Sequence, residues 1–415
     1  MREKTPLSLR RNFSVTFISN IIYAACQWGV IIIIAQLGSP EKLGMYSLAL
    51  AITSPILLLT NLQLRNMQIT DVNNKYQFSD FFTFRIISSC ISVVIIIIVA
   101  LLFDYDYMTV IVIILIGGSK FIESISDVSF GLFQKNERMD YVAVSKNLKA
   151  ISSIFSFSIT LWITGSLVYS VITLAISWLL ILIFFDLRNV NKFSKMNIKF
   201  NLDKKKMITI FKVSLPLGIM SMLLSLNSTI PRYIIENYMN LEALGYFSAL
   251  VYLYVAGNTV ISALGQSAAP RLAKYYASNN LSMFKLLLKK LNYLGLFIGI
   301  ISVIFVVLLG ELFLKIFYGV EYAVYTKELN LIMIAACINN IAAFYGYGLT
   351  ATKSFKIQPY IGFTMVVVSF LTSILLIPKL GLLGASYALI AGAIVQLTML
   401  IVILKIKLSK TQRGK

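Results

Sequence analysis

The sequence predicts an all-α polytopic membrane protein, with about twelve transmembrane helices in two pseudo-symmetric six-helix bundles. Three observations lead to this prediction. Of the 415 residues, 58% are hydrophobic and only 13% are charged, whereas roughly 25% of the residues of a soluble domain are charged. Many apolar runs reach the length of about 20 residues that a helix needs to cross a bilayer. A short motif also occurs twice, at equivalent positions in the two halves of the chain.

The apolar runs divide the chain into twelve predicted spans with short connections. The first six lie near residues 12–35, 43–66, 81–103, 108–134, 141–163 and 167–187. The other six lie near residues 207–238, 241–276, 284–309, 322–352, 355–377 and 382–404. We therefore expect an N-terminal bundle over residues 1–190, a basic cytoplasmic linker over 191–206 and a C-terminal bundle over 207–415.

Membrane topology explains the net charge of +20. With the N-terminus inside, Lys and Arg fall on inner connections, including the cluster over residues 188–206, while Asp104, Asp106 and Glu242 fall on outer ones. Cytoplasmic loops of membrane proteins carry such an excess of basic residues, so both termini are predicted to be cytoplasmic. Because the cations lie in short loops between apolar runs, we expect anionic membrane lipids as their partners, and not nucleic acid.

The repeated motif relates the two halves. "SPEKLGMYSLALAI" enters the second span and "NLEALGYFSALVYL" enters the eighth. At a single offset, the matching positions are Glu41, Leu43, Gly44 and Ser47 in the first copy and Glu242, Leu244, Gly245 and Ser248 in the second. Six spans separate the copies, so both have the same orientation, which indicates halves related by an axis along the membrane normal. Such an arrangement describes a transporter better than a membrane enzyme.

The fourth span carries three charges in "GGSKFIESISDVSFGLFQ". Lys120, Glu123 and Asp127 follow one another at spacings of three and four, which places them on one helical face. A charge within a span costs about 2.5–3.5 kcal/mol on insertion scales, so such a face usually borders a cavity. We interpret it as the wall of a polar vestibule, with Lys120 facing an anionic substrate. The alternative is a self-neutralised ladder that only stabilises the helix.

Cations and amides in two further spans are candidates for the same vestibule. The second span ends in "TNLQLRNMQITD", where Arg65 lies slightly deeper among amides that include Asn61. In the seventh span, Pro231 predicts a kink or a break, and Arg232 follows it directly. Glu236 lies one turn beyond and would neutralise Arg232. The alternative for Arg232 is snorkelling to the outer head groups.

The tenth span reads "INNIAAFYGYGLTAT" and contains Asn339 and Asn340. Amides beside aromatic rings suit sugars, which makes both asparagines candidate substrate-binding residues. Close packing between glycines and aromatic rings explains the pattern equally well.

The sequence lacks the residues that several classes of chemistry require. The chain contains no histidine, which excludes histidine proton relays. Cys26, Cys90 and Cys337 all lie in apolar runs without metal-ligand spacing and are expected to act as small core residues. There is no P-loop for direct use of ATP. We therefore expect no catalytic residue, no metal site and no cofactor.

The sequence resembles the polysaccharide-repeat (O-antigen or capsule) flippases of the multidrug/oligosaccharidyl-lipid/polysaccharide exporter superfamily over nearly its whole length. The stretches that carry the resemblance include "LGSPEKLGMYSLALAI", "FIESISDVSFGLFQKNERMDYVAVSK", "LGQSAAPRLAKYY" and "LGLLGASYALIAGAIVQL". The resemblance implies alternating access around a cationic central cavity. The substrate would be an undecaprenyl-pyrophosphate-linked oligosaccharide, moved to the outer leaflet of the bacterial cytoplasmic (inner) membrane. The polysaccharide polymerase machinery is a further expected partner.

Residue roles follow from the same resemblance. Arg65, Lys120 and Arg232 fall in matching motifs and would be cavity cations. Coupling to a proton or sodium gradient is implied as well. Since the chain has no histidine, the proton would be carried by one of the acidic residues Glu123, Asp127 and Glu236.

Two other functions are alternatives to a flippase. A drug or cation exporter of the same superfamily would need acidic cavity walls, whereas this cavity is predicted to be cationic. A membrane polysaccharide polymerase, which is an enzyme, would carry a long outer loop with arginines, whereas the outer connections here are short and acidic.

Overall fold

The structure, a computed structural model, describes residues 7–71, 75–193, 203–352, 354 and 357–413, and this part of the chain is almost entirely helical. Its first half contains α1 (Leu9–Leu37), α2 (Pro40–Asn61), α3 (Leu64–Thr70), α4 (Phe78–Leu102), α5 (Tyr107–Lys135), α6 (Met139–Thr164), α7 (Leu167–Ile181) and α8 (Arg188–Phe193). Its second half contains α9 (Lys204–Tyr238), α10 (Leu241–Ala277), α11 (Leu281–Phe317), α12 (Thr326–Ala351), α13 (Gln358–Leu380) and α14 (Leu382–Arg413). A π-helical segment, Leu182–Leu187, connects α7 to α8, and a 3₁₀ segment, Val320–Tyr325, precedes α12.

The predicted class, a multi-pass α-helical membrane protein, is confirmed. In the described residues, eleven helical segments are long and apolar enough to cross a membrane, with α2–α3 and α7–α8 each counted as one. The twelfth predicted span is α6, whose sequence is less apolar because it contains Lys146, Lys149 and several serines. Twelve spans remain the best description, since α6 is 26 residues long and packs along α1 and α7.

Local chemistry explains where several of these helices begin and end. The carboxylate of Asp106 accepts hydrogen bonds from the backbone N–H groups of Met108 and Thr109, both at 3.1 Å, and so caps the start of α5. Gly165 ends α6 with a left-handed backbone (φ +62°), which suits the short connection between the fifth and sixth predicted spans. Helix α9 continues through Pro231 to Tyr238, so the predicted break of this helix is not observed.

The chain forms two compact units. The first consists of Met1–Gly38 and Met45–Ser225, and the second of Ser39–Gly44 and Leu226–Lys415. The division lies inside α9, whereas the sequence placed it at the end of a linker over residues 191–206, most of which (194–202) lies outside the described residues. The reason is that early α9 packs in the first unit: Lys206 lies 3.4 Å from a carboxylate oxygen of Asp80.

Within the second unit, the two copies of the repeated motif contact each other. A Cβ atom at Gly44 would overlap the carbonyl oxygen of Leu241, and a Cβ atom at Gly245 would overlap the carbonyl oxygen of Pro40. Pro40 and Leu241 are themselves equivalent positions of the repeat. The first turns of α2 and α10 therefore approach each other to backbone contact, which glycine alone permits.

An apolar cluster in the first unit fixes the short helix α3 against its neighbours. Leu64 of α3 is fully buried, together with Phe81 of α4, Val128 of α5 and Ile210 of α9. Packing of this density leaves little freedom for the side chains that α3 and α5 present on their other faces.

Candidate functional site

The candidate site is a group of charged side chains in the first unit, here called the charged cluster. Its basic members are Arg65, Arg85, Lys120, Lys146 and Lys149, and its acidic members are Glu123, Asp127 and Asp186. They come from α3, α4, α5, α6 and the π-helical segment. Charge at this density within helices of a membrane protein indicates a functional region.

A break between α2 and α3 builds one side of the charged cluster. Leu62 and Gln63 have left-handed backbones, with φ of +50° and +53°, which is uncommon for residues other than glycine. The side-chain amide of Gln63 donates a hydrogen bond to the hydroxyl of Ser221 at 2.7 Å and so holds the break against α9. The break also frees the carbonyl oxygen of Asn61 from helical bonding and turns Arg65 towards α5.

Asp127 of α5 is shared by two arginines. Its Oδ1 lies 3.5 Å from a guanidinium nitrogen of Arg65, and its Oδ2 accepts a hydrogen bond from Arg85 at 3.1 Å. Arg65 also donates to Oε1 of Gln134, from Nε at 3.0 Å and from Nη2 at 2.7 Å. One carboxylate therefore balances two guanidinium groups, which leaves this part of the site with a net positive charge.

Arg85 is the structural anchor of this group. Its side chain is fully buried, whereas Asp127 is 33% exposed. Besides Asp127, Arg85 reaches Asn61, donating to the backbone oxygen at 3.1 Å and to the side-chain oxygen at 2.5 Å. Asn61, a predicted substrate ligand, therefore holds Arg85 in this structure. Removal of Asp127 would leave the buried charge of Arg85 without its carboxylate partner.

Lys120 and Glu123 form the close pair that their spacing predicts, with 2.7 Å between Nζ and Oε2. The structure adds two partners from other helices. The hydroxyl of Tyr23 donates to Oε1 of Glu123 at 3.0 Å, and Lys120 lies 5.4 Å from the ring centroid of Trp178. The pair is therefore more than a ladder along one helix, since α1 and α7 hold it in place. Both side chains remain partly exposed, at 25% and 33%.

Lys149 and Asp186 form a second, buried pair. Nζ of Lys149 lies 2.9 Å from Oδ2 of Asp186, with side-chain exposures of 4% and 0%. Lys149 also donates to the hydroxyl of Ser126 on α5. Asp186 lies in the π-helical segment, a geometry often found at functional sites. Its Oδ1 has no hydrogen-bond partner, so the pair is buried but incompletely satisfied.

Aromatic rings connect these pairs into one cluster. Phe130 lies beneath both Arg65 and Lys149, at 5.8 Å and 5.3 Å from the ring centroid. Tyr23 connects Glu123 to Lys146, whose Nζ lies 5.4 Å from the tyrosine ring centroid. Lys146 also donates to Oδ1 of Asn20 at 3.1 Å. With five basic and three acidic members, the charged cluster carries an excess of two positive charges.

Arg232, the cation predicted in the second unit, lies in an environment unlike that of the charged cluster. Arg232 is 9% exposed, and its Nε has no hydrogen-bond partner. The predicted neutralisation by Glu236 does not occur: among the described residues, Arg232 and Glu236 form no ion pair. Arg232 therefore carries a buried charge without a carboxylate partner, a state that membrane proteins usually avoid.

The asparagines of the tenth span are engaged in packing. Asn339 donates to Oδ1 of Asn258 on α10 at 2.9 Å, and Asn340 is buried. The ring of Tyr347 fills the space beside Gly265, where a Cβ atom would overlap it. These contacts correspond to the packing alternative for this stretch.

Four members of the charged cluster are absent from the site residues predicted from sequence: Arg85, Lys146, Lys149 and Asp186. All four lie inside predicted spans, over residues 81–103, 141–163 and 167–187. A charge within a predicted span is the signal that indicates Lys120. The same signal, applied to every span, finds all four residues.

Comparison with known structures and sequences agrees with this fold. A multidrug resistance MATE family transporter of the MOP superfamily, in an inward-facing conformation, aligns with a TM-score of 0.79 over 95% of this chain and 96% of its own, at 14% identity. The lipid II flippase MurJ, in an inward closed conformation, aligns with a TM-score of 0.76 over 96% of this chain and 89% of its own, at 15% identity. The fold is thus that of MOP superfamily transporters.

Sequence similarity then defines the family. The family described as polysaccharide biosynthesis proteins matches residues 9–276. The capsular polysaccharide biosynthesis protein CapF of Staphylococcus aureus is 31% identical over 391 residues, which cover 93% of this chain and 97% of CapF. The chain belongs to this family of polysaccharide biosynthesis proteins, and the resemblance noted from its sequence is confirmed.

Proposed function

We propose that this protein is a flippase that moves undecaprenyl-pyrophosphate-linked oligosaccharides from the cytoplasmic to the outer leaflet, with no catalytic step. The observation that carries the proposal is the charged cluster: helices of a polysaccharide biosynthesis protein enclose an excess of two positive charges. Pyrophosphate is the fixed anionic part of such a substrate, whatever its sugars are. A cationic cluster inside a membrane protein is suited to that group.

The charged cluster has an accessible part and a buried part. We assign pyrophosphate binding to the accessible part and structural support to the buried part. Arg65 and Lys120 are 22% and 25% exposed, and the contact of Arg65 with Asp127 is long, at 3.5 Å. A pyrophosphate can reach both cations, where it would compete with Asp127 and Gln134 for Arg65 and with Glu123 for Lys120. Arginine would bind it through its planar fork and lysine as a point charge. Arg85 and Lys149 are buried and would hold Asp127 and Asp186 in place.

Coupling to a proton or sodium gradient fits the two accessible carboxylates. Glu123 and Asp127 neutralise Lys120 and Arg65 in this structure. A proton or a sodium ion on either carboxylate would release its cation for pyrophosphate. The affinities for substrate and for coupling ion would then depend on each other through these shared cations. We propose Arg232 as a further cation for the substrate, because it is buried and has no carboxylate partner among the described residues.

The orientation and the polysaccharide are part of the same proposal. With both termini cytoplasmic, the basic ends of the helices face the cytoplasm of a bacterium. The similarity to CapF supports capsule as the polysaccharide in preference to O-antigen. Export of cationic drugs, which the same fold could support, is disfavoured because an excess of positive charge repels a cation.

Complementation of a capsule-producing strain that lacks its own flippase tests the proposal. Wild-type protein should restore surface polysaccharide, whereas Arg65→Ala combined with Lys120→Ala should reduce it at least tenfold at equal protein level. Lys315→Ala is the control, because Lys315 is exposed and pairs with Glu311 one turn away on its own helix. Full restoration by the double variant would contradict the role of the charged cluster. No restoration by the wild type, across strains with different repeat units, would contradict the flippase itself.

A further inference from the structure

A groove in the second unit lies apart from the charged cluster and is unused by the proposed function. It has a volume of about 570 Å³ and lies between α11 and α14, with α12 as its floor. Its rim carries Lys285, Lys289 and Lys405. We call it the lysine groove. Its volume falls within the roughly 300–1,000 Å³ that is typical of ligand sites.

The three lysines lie at one end of the groove. Lys285 and Lys289 are four positions apart on α11, so they share a face and are separated by about 6 Å along the helix. Lys405 faces them from α14. None of the three forms an ion pair within the described residues, and Lys289 lies 5.6 Å from the ring centroid of Tyr293. Three unpaired cations around one opening attract an anion.

The walls below the lysines are apolar. Leu288, Leu404 and Leu408 line the groove, and each is less than 10% exposed. Leu288 and Leu404 both pack against Gly348 of α12, where a Cβ atom would lie 3.3 Å from side-chain atoms of each leucine. An apolar groove with cations at one end fits a molecule that has an anionic head group and a hydrocarbon tail.

One polar atom lies within this apolar wall. Oδ1 of Asn292, one turn deeper than Lys289, is buried and has no hydrogen-bond partner. A purely structural seam between helices would place an apolar side chain here, because a buried polar atom without a partner is costly.

We infer that the lysine groove binds an anionic phospholipid, with its phosphate among Lys285, Lys289 and Lys405 and one acyl chain along Leu288 and Leu404. The inference does not depend on the proposed function, since the groove contains no residue of the charged cluster. Under the predicted topology these lysines face the inner leaflet, where anionic phospholipids meet basic pockets between transmembrane helices.

Native mass spectrometry of the purified full-length protein tests the inference. The protein, stripped of lipid, is mixed with phosphatidylglycerol or with phosphatidylcholine of identical acyl chains, and retained lipid is counted. We expect at least fivefold more retention of phosphatidylglycerol. Combined Lys285→Ala, Lys289→Ala and Lys405→Ala should abolish this preference, and the corresponding three arginine substitutions should preserve it.

Three lysines elsewhere in the same unit provide the matched control. Combined Lys315→Ala, Lys327→Ala and Lys379→Ala removes the same charge from other helix ends and should leave the preference unchanged. All variants are compared at equal thermal stability, which exposed lysines allow.

Three results would overturn the inference. The first is equal retention of both lipids, and the second is an unchanged preference in the variant with three alanines in the groove. The third is displacement of phosphatidylglycerol by an equal concentration of glycerol 3-phosphate or of a polyprenyl diphosphate. Glycerol 3-phosphate would show a site for free phosphate, and polyprenyl diphosphate would show a site for the transported lipid.

Discussion

Arg85 donates a hydrogen bond to Oδ2 of Asp127 at 3.1 Å from a position without any exposure to solvent. The same carboxylate also lies against Arg65, which is partly exposed. Asp127 thus has one partner that depends on it for stability and one that can leave it for a substrate. The two arginines should therefore respond differently to substitution.

Asp127→Asn should destabilise the protein by about 3 kcal/mol, the lower end of the range for breaking a buried ion pair, because Asp127 is itself partly exposed. Arg65→Gln should cost less than about 1 kcal/mol, as exposed pairs do. Thermal unfolding of the purified variants measures the difference. Adding Arg85→Met to Asp127→Asn should recover more than half of the loss, since the unpaired buried charge is removed. Equal destabilisation by Arg65→Gln and Asp127→Asn would show that Arg85 does not depend on Asp127.

Glu123→Gln should separate substrate binding from coupling. The amide cannot carry a proton or neutralise Lys120, so the cation stays available whatever the pH. Transport of lipid-linked oligosaccharide in vesicles should continue at a reduced rate and lose most of its stimulation by an imposed proton or sodium gradient. Tyr23→Phe, which removes the hydroxyl bonded to Glu123 at 3.0 Å but keeps the carboxylate, is the control and should retain the stimulation. Unchanged stimulation in Glu123→Gln would move the coupling role to another carboxylate.

Gly245→Ala should reduce the unfolding temperature of the protein by several degrees or prevent its accumulation, because the added methyl group would overlap a backbone carbonyl oxygen that cannot rotate away. Gly44→Ala should act in the same way. Gly257→Ala is the control on the same helix as Gly245, where a Cβ atom would meet no other atom within 4 Å. There, the better helix propensity of alanine should leave stability equal or raise it by about 0.5–1 kcal/mol. A stable Gly245→Ala variant would contradict the close approach.

Single cysteines should report the predicted topology. In a background in which Cys26, Cys90 and Cys337 are replaced by alanine, Ser166→Cys at the turn between α6 and α7 should react with an impermeant maleimide in intact cells. Ser278→Cys, which follows α10, should react only after the membrane is opened. The reverse labelling pattern would place the termini outside and reverse the direction of the proposed transport.

Helical periodicity was sufficient to predict part of the site. The spacing of Lys120, Glu123 and Asp127 placed them on one face of α5, and the structure shows the Lys120–Glu123 contact directly. Helical periodicity could not show that Asp127 pairs with Arg65 and Arg85, because those contacts depend on how α3 and α4 pack against α5. That packing depends on a helix break at Leu62 and Gln63, two residues that do not usually adopt left-handed backbones.

Hydropathy and the repeat were sufficient to predict twelve spans in two bundles, but the division of the units was harder to predict. A lysine-rich stretch is a reasonable linker, yet the first half of α9 packs with the first unit through contacts such as Lys206–Asp80 and Gln63–Ser221. Such contacts join residues far apart in the sequence, and no local sequence pattern predicts them. Pro231 illustrates the opposite case: a strong local signal for a helix break is overridden, and α9 continues.

The contact between Gly44 and Gly245 also limits how the two copies of the repeat can diverge in evolution. In each copy, the space available to the glycine is set by a main-chain oxygen of the other copy, and no side-chain mutation can move that oxygen. Neighbouring positions do differ between the copies, as Lys42 and its equivalent Ala243 show. The two halves can therefore diverge at most positions, whereas Gly44 and Gly245 must both remain glycine.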